Sequence, residues 1–274
     1  MRRDSDPNIP IPESGEPSAE RRREWKPLFR GIWAEDLKDG DLLPVGGSMF
    51  SDELTSMLEL DFAAFDHELS NIDPERMRAL FEERRGAVTE WLEKVNPKEK
   101  IDPYLFFLCL NLQNKVEALL EVVGKDIDGF QRQLLYGKEK PPSLSGLRGK
   151  AMCAERAALG QYLLKKAGVE SAYVGGAEMA DAADREEYPS PHSFIVIPDP
   201  TDASVTYVFD IARPRSQNHL PRILKTDVPM TAELLAGKRE LFVRAKEVLQ
   251  GGELWFGVGE PVSGEHERLE VNET

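Results

Sequence analysis

The spacing of apolar residues divides the chain into a helical stretch and a strand-rich one. Leu54, Met57, Leu58, Leu60, Phe62 and Phe65 recur at the spacing of one helix face, with Ser51 placed as N-cap. Asp73-Pro74 is a second start signal: the acid accepts first-turn N–H groups, and proline lacks one where none is needed. Met77, Leu80, Phe81, Val88, Trp91 and Leu92 follow at helical spacing. Asp102-Pro103 repeats the signal. The helix after it, YLFFLCLNLQNKVEALLEVV, ends at Gly124 and is apolar nearly all round in its first half, as a buried helix is. A shorter helix through Phe130 and Leu135 to Gly137 is predicted next.

The loop KEKPPSLSG then leads to a helix predicted over about 150–167, with Gly168 at its C-cap. Ala154, Ala157, Ala158 and Gly160 leave this helix room to lie close to a sheet, and Glu155/Arg156 and Lys165/Lys166 form a narrow polar stripe. Beyond Gly168 the pattern becomes that of strands, at 170–174, 192–197 and 205–211. The second, HSFIVI, is an almost continuous apolar run, as a central strand is. Thr231 caps a short helix through Leu235, 240–249 fits helix or strand, and ELWFGVG has strand composition.

These elements give an α+β chain with a helical N-terminal half. Residues 1–48 read as a disordered or loosely docked arm, because prolines at 7, 10, 12 and 17 break regular structure. Within it, Trp25, Leu28, Phe29, Ile32 and Trp33 read as docking on the body, with a partner-binding motif as the alternative. A helical region spans 49–140, a strand-rich core 141–262, and 263–274 reads as a flexible tail. The net charge of −14, from 49 acidic against 35 basic residues, argues against nucleic acid or an anionic membrane as partner. Two cysteines make no disulfide framework and fit a reducing compartment. The N-terminus has no apolar signal core, so a cytoplasmic location is expected, or export without a cleavable secretory signal.

Candidate chemistry centres on Cys153 in the first turn of the 150–167 helix. A helix N-terminus lowers a thiol pKa through its dipole and unpaired N–H groups, which also serve an oxyanion; Arg148 and Lys150 add positive charge. If strands 192–197 and 205–211 pair antiparallel about Thr201, His192 directly faces Asp210, at a spacing that suits a carboxylate holding an imidazole. The pairing depends on register, since a slip of one residue would turn the two to opposite faces. Cys109, on the apolar helix, reads as a small buried hydrophobe. His67, His219 and His266 are isolated, metal-ligand spacings are absent, and neither metal nor cofactor is expected. Taken singly, Cys153, His192 and Asp210 each admit a structural role: a packing thiol, a satisfied strand histidine and a strand-end cap.

Together, the helix-opening Cys of GKAMCAERAALGQYLLKKAG, the strand ending VGG, the His heading PHSFIVI and the Asp ending YVFDIARP resemble the transglutaminase-like cysteine enzymes, a branch of the papain-like fold, over about residues 146–214. The resemblance implies a central helix packed on an antiparallel sheet and a triad of Cys153 as nucleophile, His192 as base and acid, and Asp210 as orienter. It implies amide chemistry through a thioester, as peptidase, amidase, deamidase or acyltransferase; the alternative is an inactive module of the same type that binds a protein partner. The chain departs from the family where Ser193-Phe194 stands in place of a Trp after the His, and in lacking an aromatic after the Cys. Arylamine N-acetyltransferases share the triad order but carry the Cys early, behind an arginine-glycine-glycine turn, whereas here about 150 residues precede it. Asn111, Gln113 and Gln161 are the candidate oxyanion side chains. Arg213 and Arg215 read as strand-end residues paired with surface acids, with a substrate-carboxylate clamp as the alternative. A protein or peptide substrate is expected, with basic ones favoured by the acidic stretch 177–190, where Glu178, Asp181, Asp184, Glu186 and Glu187 face only Arg185.

Overall fold

The computed structural model describes residues 26–28, 31–46, 56–122, 135–136, 140–179, 190–212, 220–236, 241–258 and 267–269. In chain order these form β1 (Lys26–Leu28), β2 (Gly31–Ala34), β3 (Leu42–Pro44), β4 (Met57–Glu59), α1 (Asp66–Leu69), α2 (Pro74–Val95), α3 (Pro103–Leu119) and α4 (Cys153–Lys166). They continue as β5 (Ala172–Met179), β6 (Ser190–Pro198), β7 (Thr206–Phe209), β8 (Ile223–Thr226), α5 (Ala232–Leu235), β9 (Leu241–Glu247), β10 (Glu253–Val258) and β11 (Glu267–Leu269). The chain is α+β, and its antiparallel sheet closes on itself: β5, β6, β7, β8, β9 and β10 pair antiparallel in a ring, and β10 returns to β5. Closure removes the free edges that an open sheet would present. Among the described residues, no helix is long and apolar enough to cross a membrane.

The helix starts follow their sequence signals. The Asp73 carboxylate accepts from Arg76 N (2.9 Å) and the Asp102 carboxylate from Leu105 N (2.9 Å), each ahead of a proline at the first helical position. Thr231 Oγ1 accepts from Leu234 N in the same way. α4 ends with Gly168 at φ +76° and Val169 N bonded to Leu164 O (2.9 Å), a left-handed turn that glycine adopts without a Cβ penalty.

The helix expected over 51–65 is not what forms at its centre. Residues 57–59 are β4, paired with β3, while Ser51 and Leu54 lie outside the described residues. Leu58, Leu60, Phe62 and Phe65 do enter the core, but tertiary pairing with Leu42–Pro44 overrides the local period. The apolar cluster of the arm docks as β2: Ile32 and Trp33 are buried and pair with Gly175 and Val174 of β5. Trp25 and Phe29 lie outside the described residues. Residues 241–247 resolve as strand rather than helix, and β11 joins β9 in parallel.

Two cores meet at the β5–β6–β7 wall. The larger collects α2, α3 and α4 with Tyr173, Ile195, Ile197, Phe209 and Ile211 on one face of the strands. The smaller fills the barrel with Val174, Phe194, Val196, Val208, Leu241, Val243 and Phe256. Gly160 marks where α4 lies on the wall, since a Cβ there would meet the ends of Ile195 and Ile211 at 2.9 Å.

Candidate active site

Cys153 is the first residue of α4, whose Gly160 packs on Ile195 of β6. At the head of this helix the Cys153 thiol hydrogen-bonds the His192 ring.

The other contact of the ring is to Asp210, whose Oδ1 accepts from His192 Nε2 over 2.9 Å. The expected register is off by two residues. Ile195 faces Phe209 and Ile197 faces Tyr207, so residue 205 lies in the turn rather than opposite Ile197. Asp199 holds that turn by accepting from Thr201 N and Asp202 N and by bonding Val205 O through its own N–H. A slip of two keeps both residues on one face, and the length of the imidazole spans the diagonal. Asp210 Oδ2 accepts from Arg222 Nη1 at 3.2 Å, and the carboxylate is fully buried. Arg222 had no sequence signal, because it precedes a strand far along the chain.

Burial would lower the pKa of His192. The charge of Asp210, its hydrogen bond, and the hydrogen bond and charge of Cys153 outweigh that and hold it well above the ordinary histidine value. Cys109, by contrast, is buried on α3 and its thiol pKa is pushed up by desolvation, as an inert thiol's is.

Glu178 corrects the sequence picture of an acidic loop. It is a residue of β5, 4% exposed, and its Oε2 lies 3.8 Å from His192 Nε2. Asp181, Asp184, Arg185, Glu186 and Glu187 lie outside the described residues, as do Arg213, Arg215, His219 and His266. Glu178, His192 and Asp210 bring three potential metal donors within 4.8 Å of one another. The cluster spans three chain segments, so no local ligand spacing announces it. His67 is exposed on α1 and takes no part.

The head of α4 is held by side chains read as a surface stripe. Glu155 and Arg156 are buried instead. Glu155 accepts from Met152 N (2.9 Å) and from the Tyr136 hydroxyl. Arg156 donates to Ala151 O (3.2 Å) and Ala212 O (2.8 Å), tying the residues just before Cys153 to those just after Asp210. Arg148 lies over the Phe65 ring and near Glu68 and Glu121, so its charge is shared away from the thiol. Of the oxyanion side chains considered, Asn111 Nδ2 donates to Phe107 O and Gln161 Nε2 to Glu35 O and Ser171 O. Gln113 is buried on α3. The first-turn amides of α4 have no intrahelical acceptor by helix geometry and remain the better donors. Where the resembled family has a Trp, Ser193 is buried and bonds Tyr173 Oη (3.0 Å).

No protein-family model matches the chain, and no curated protein sequence matches it significantly. Among solved structures, the crystal structure of arylamine N-acetyltransferase C from Bacillus anthracis is similar at a distance. The two chains are 12% identical, the match covers 65% of this chain and 71% of that one, and the TM-score is 0.29.

Proposed function

We propose that the protein is a cysteine enzyme that cleaves or transfers acyl groups from amides, with Cys153 as nucleophile, His192 as general base and acid, and Asp210 as the residue that orients and charges the imidazole. What supports this reading is one observation: the His192 ring bonds a buried carboxylate through one nitrogen and a helix-opening thiol as well. That is the nucleophile–base–orienter relation that thiol catalysis needs. Nε2 is committed to Asp210, so Nδ1 is the nitrogen left to take the thiol proton.

The chemistry follows from that arrangement. His192 takes the proton of the Cys153 thiol, and the thiolate attacks the carbonyl carbon of the amide. First-turn amides of α4 stabilise the oxygen that gains charge. The C–N bond breaks as His192 returns its proton to the leaving amine, and a thioester remains on Cys153. Water or a second amine then attacks the thioester with His192 as base, releasing acid or new amide and restoring the thiol. A papain- or transglutaminase-like core belongs to this reading, as does a protein or peptide acyl donor.

The experiment is alkylation of Cys153 by iodoacetamide against pH, in the native chain and in His192→Ala. Cys109 serves as the buried control. Rapid labelling well below pH ~8, lost in His192→Ala, supports the reading. Labelling that follows an ordinary thiol in both proteins overturns it. Ammonia or amine release from a panel of glutamine- and asparagine-containing peptides then separates hydrolysis from transfer.

A further inference from the structure

We infer that Glu178, His192 and Asp210 form a site for a divalent cation of the zinc type. The site stands on its own geometry and does not depend on the function proposed above.

The three donors come from β5, β6 and the residue that follows β7. Their side chains are 5%, 3% and 0% exposed. Metal bonds of about 2.0–2.2 Å place neighbouring donors of a tetrahedral site roughly 3.3–3.6 Å apart. Here Nε2–Oδ1 is 2.9 Å and Nε2–Oε2 is 3.8 Å, with all three donors within 4.8 Å. Shifts of under about an ångström bring them to bonding geometry. Imidazole with carboxylates is a donor set that suits zinc.

Asp210 already orients the ring through Nε2, and Glu178 adds another buried acid beside the same nitrogen. Two buried acids favour a positive charge between them, and a bound dication serves that place as a charged imidazole does. Arg222 answers part of this by holding Asp210 Oδ2, which leaves Oδ1 aimed at the ring and orients the ligand as a supporting partner does.

Cys153 is not among the donors that lie within 4.8 Å of one another.

The test is a calorimetric titration of the full chain with zinc chloride, for the native protein, Cys153→Ala and Glu178→Gln. Zinc should bind the native protein at one equivalent, bind Cys153→Ala with little change, and bind Glu178→Gln at least about tenfold more weakly. Absence of binding to the native protein, loss in Cys153→Ala, or full affinity in Glu178→Gln would each overturn the site. The Cys153→Ala titration decides the matter even if Glu178→Gln does not fold. Should zinc bind as expected while alkylation of the metal-free protein ignores His192, the proposed enzyme function fails and the cation site stands.

Discussion

Gly176 faces His192 across the β5–β6 pair, and a Cβ on Gly176 would come within 2.2 Å of the Gly257 carbonyl oxygen. The close approach lies where β5 changes neighbours. Tyr173–Gly175 pair with β2, whereas Ala177–Met179 pair with β10, so the barrel closes at Gly176. The obstacle is backbone, which cannot swing aside as a side chain end can.

Gly176→Ala should therefore lower stability by about 1–3 kcal/mol, the usual range for overpacking. It should also slow Cys153 alkylation by displacing β6 at His192. Gly160→Ala is the contrast. Its Cβ comes closest to the δ carbons of Ile195 and Ile211, which have freedom to give, and alanine gains about 1 kcal/mol over glycine in a helix. Urea unfolding of both variants checks the pair. A loss at Gly160→Ala equal to that at Gly176→Ala would refute the distinction.

The raised pKa of His192 makes part of the stability depend on pH. Burial lowers it, and the charge and hydrogen bond of Asp210, with Cys153, raise it by more. A group whose folded pKa exceeds its unfolded value of about 6.5 contributes fully below that value and progressively less as pH rises through the folded pKa. The stability gap between the native protein and His192→Asn should shrink as the solution is made alkaline. Chemical denaturation at a series of pH values reads it directly, and a gap that widens with pH contradicts the charge pairing.

How much of this was readable in the sequence depends on the range of each signal. Asp73-Pro74, Asp102-Pro103 and Thr231 are local, and each carries out its capping role. His192 and Asp210 were brought to one face by the alternation of a strand, and this survived a two-residue error in register because the alternation has period two. Met57–Glu59 misled because its partner strand lies in the proline-bearing arm, beyond the reach of a helical window. Glu178 was read with its acidic neighbours, although it is in phase with the apolar β5 residues Val174 and Gly176. Arg222 and the closure of the barrel are long-range facts with no local mark.

Cys153, His192 and Asp210 should behave as one unit if the proposed chemistry holds. Cys153→Ala and His192→Ala each remove nearly all turnover. Asp210→Asn is expected to cost about 10³–10⁴-fold, by analogy with serine triads in which the orienter alone is changed. Double variants should add little to the worse single one. Cys153 is only partly buried, so Cys153→Ala should melt close to the native protein. A Cys153→Ala protein that is destabilised yet still active would mean that the thiol packs rather than reacts.

Arg156 offers the sharpest separation of positioning from bulk stability. Its guanidinium bridges Ala151 O and Ala212 O, two residues before Cys153 and two after Asp210. The bridge therefore holds the helix head against the strand end that carries the orienting acid. Arg156→Met keeps the apolar stem but leaves the buried Ala151 carbonyl and the half-buried Ala212 carbonyl without this donor, and about 1.5–3 kcal/mol should be lost, the range for a hydrogen bond from a charged group. Arg156→Lys keeps the charge but has no planar fork to reach both carbonyls, so it should recover only part. The informative readout is the pH profile of Cys153 alkylation. Looser contact between Cys153 and His192 should move its midpoint toward that of an ordinary thiol, further in Arg156→Met than in Arg156→Lys. If both variants lose stability while the profile stays fixed, Arg156 braces the fold without setting the distance between thiol and ring.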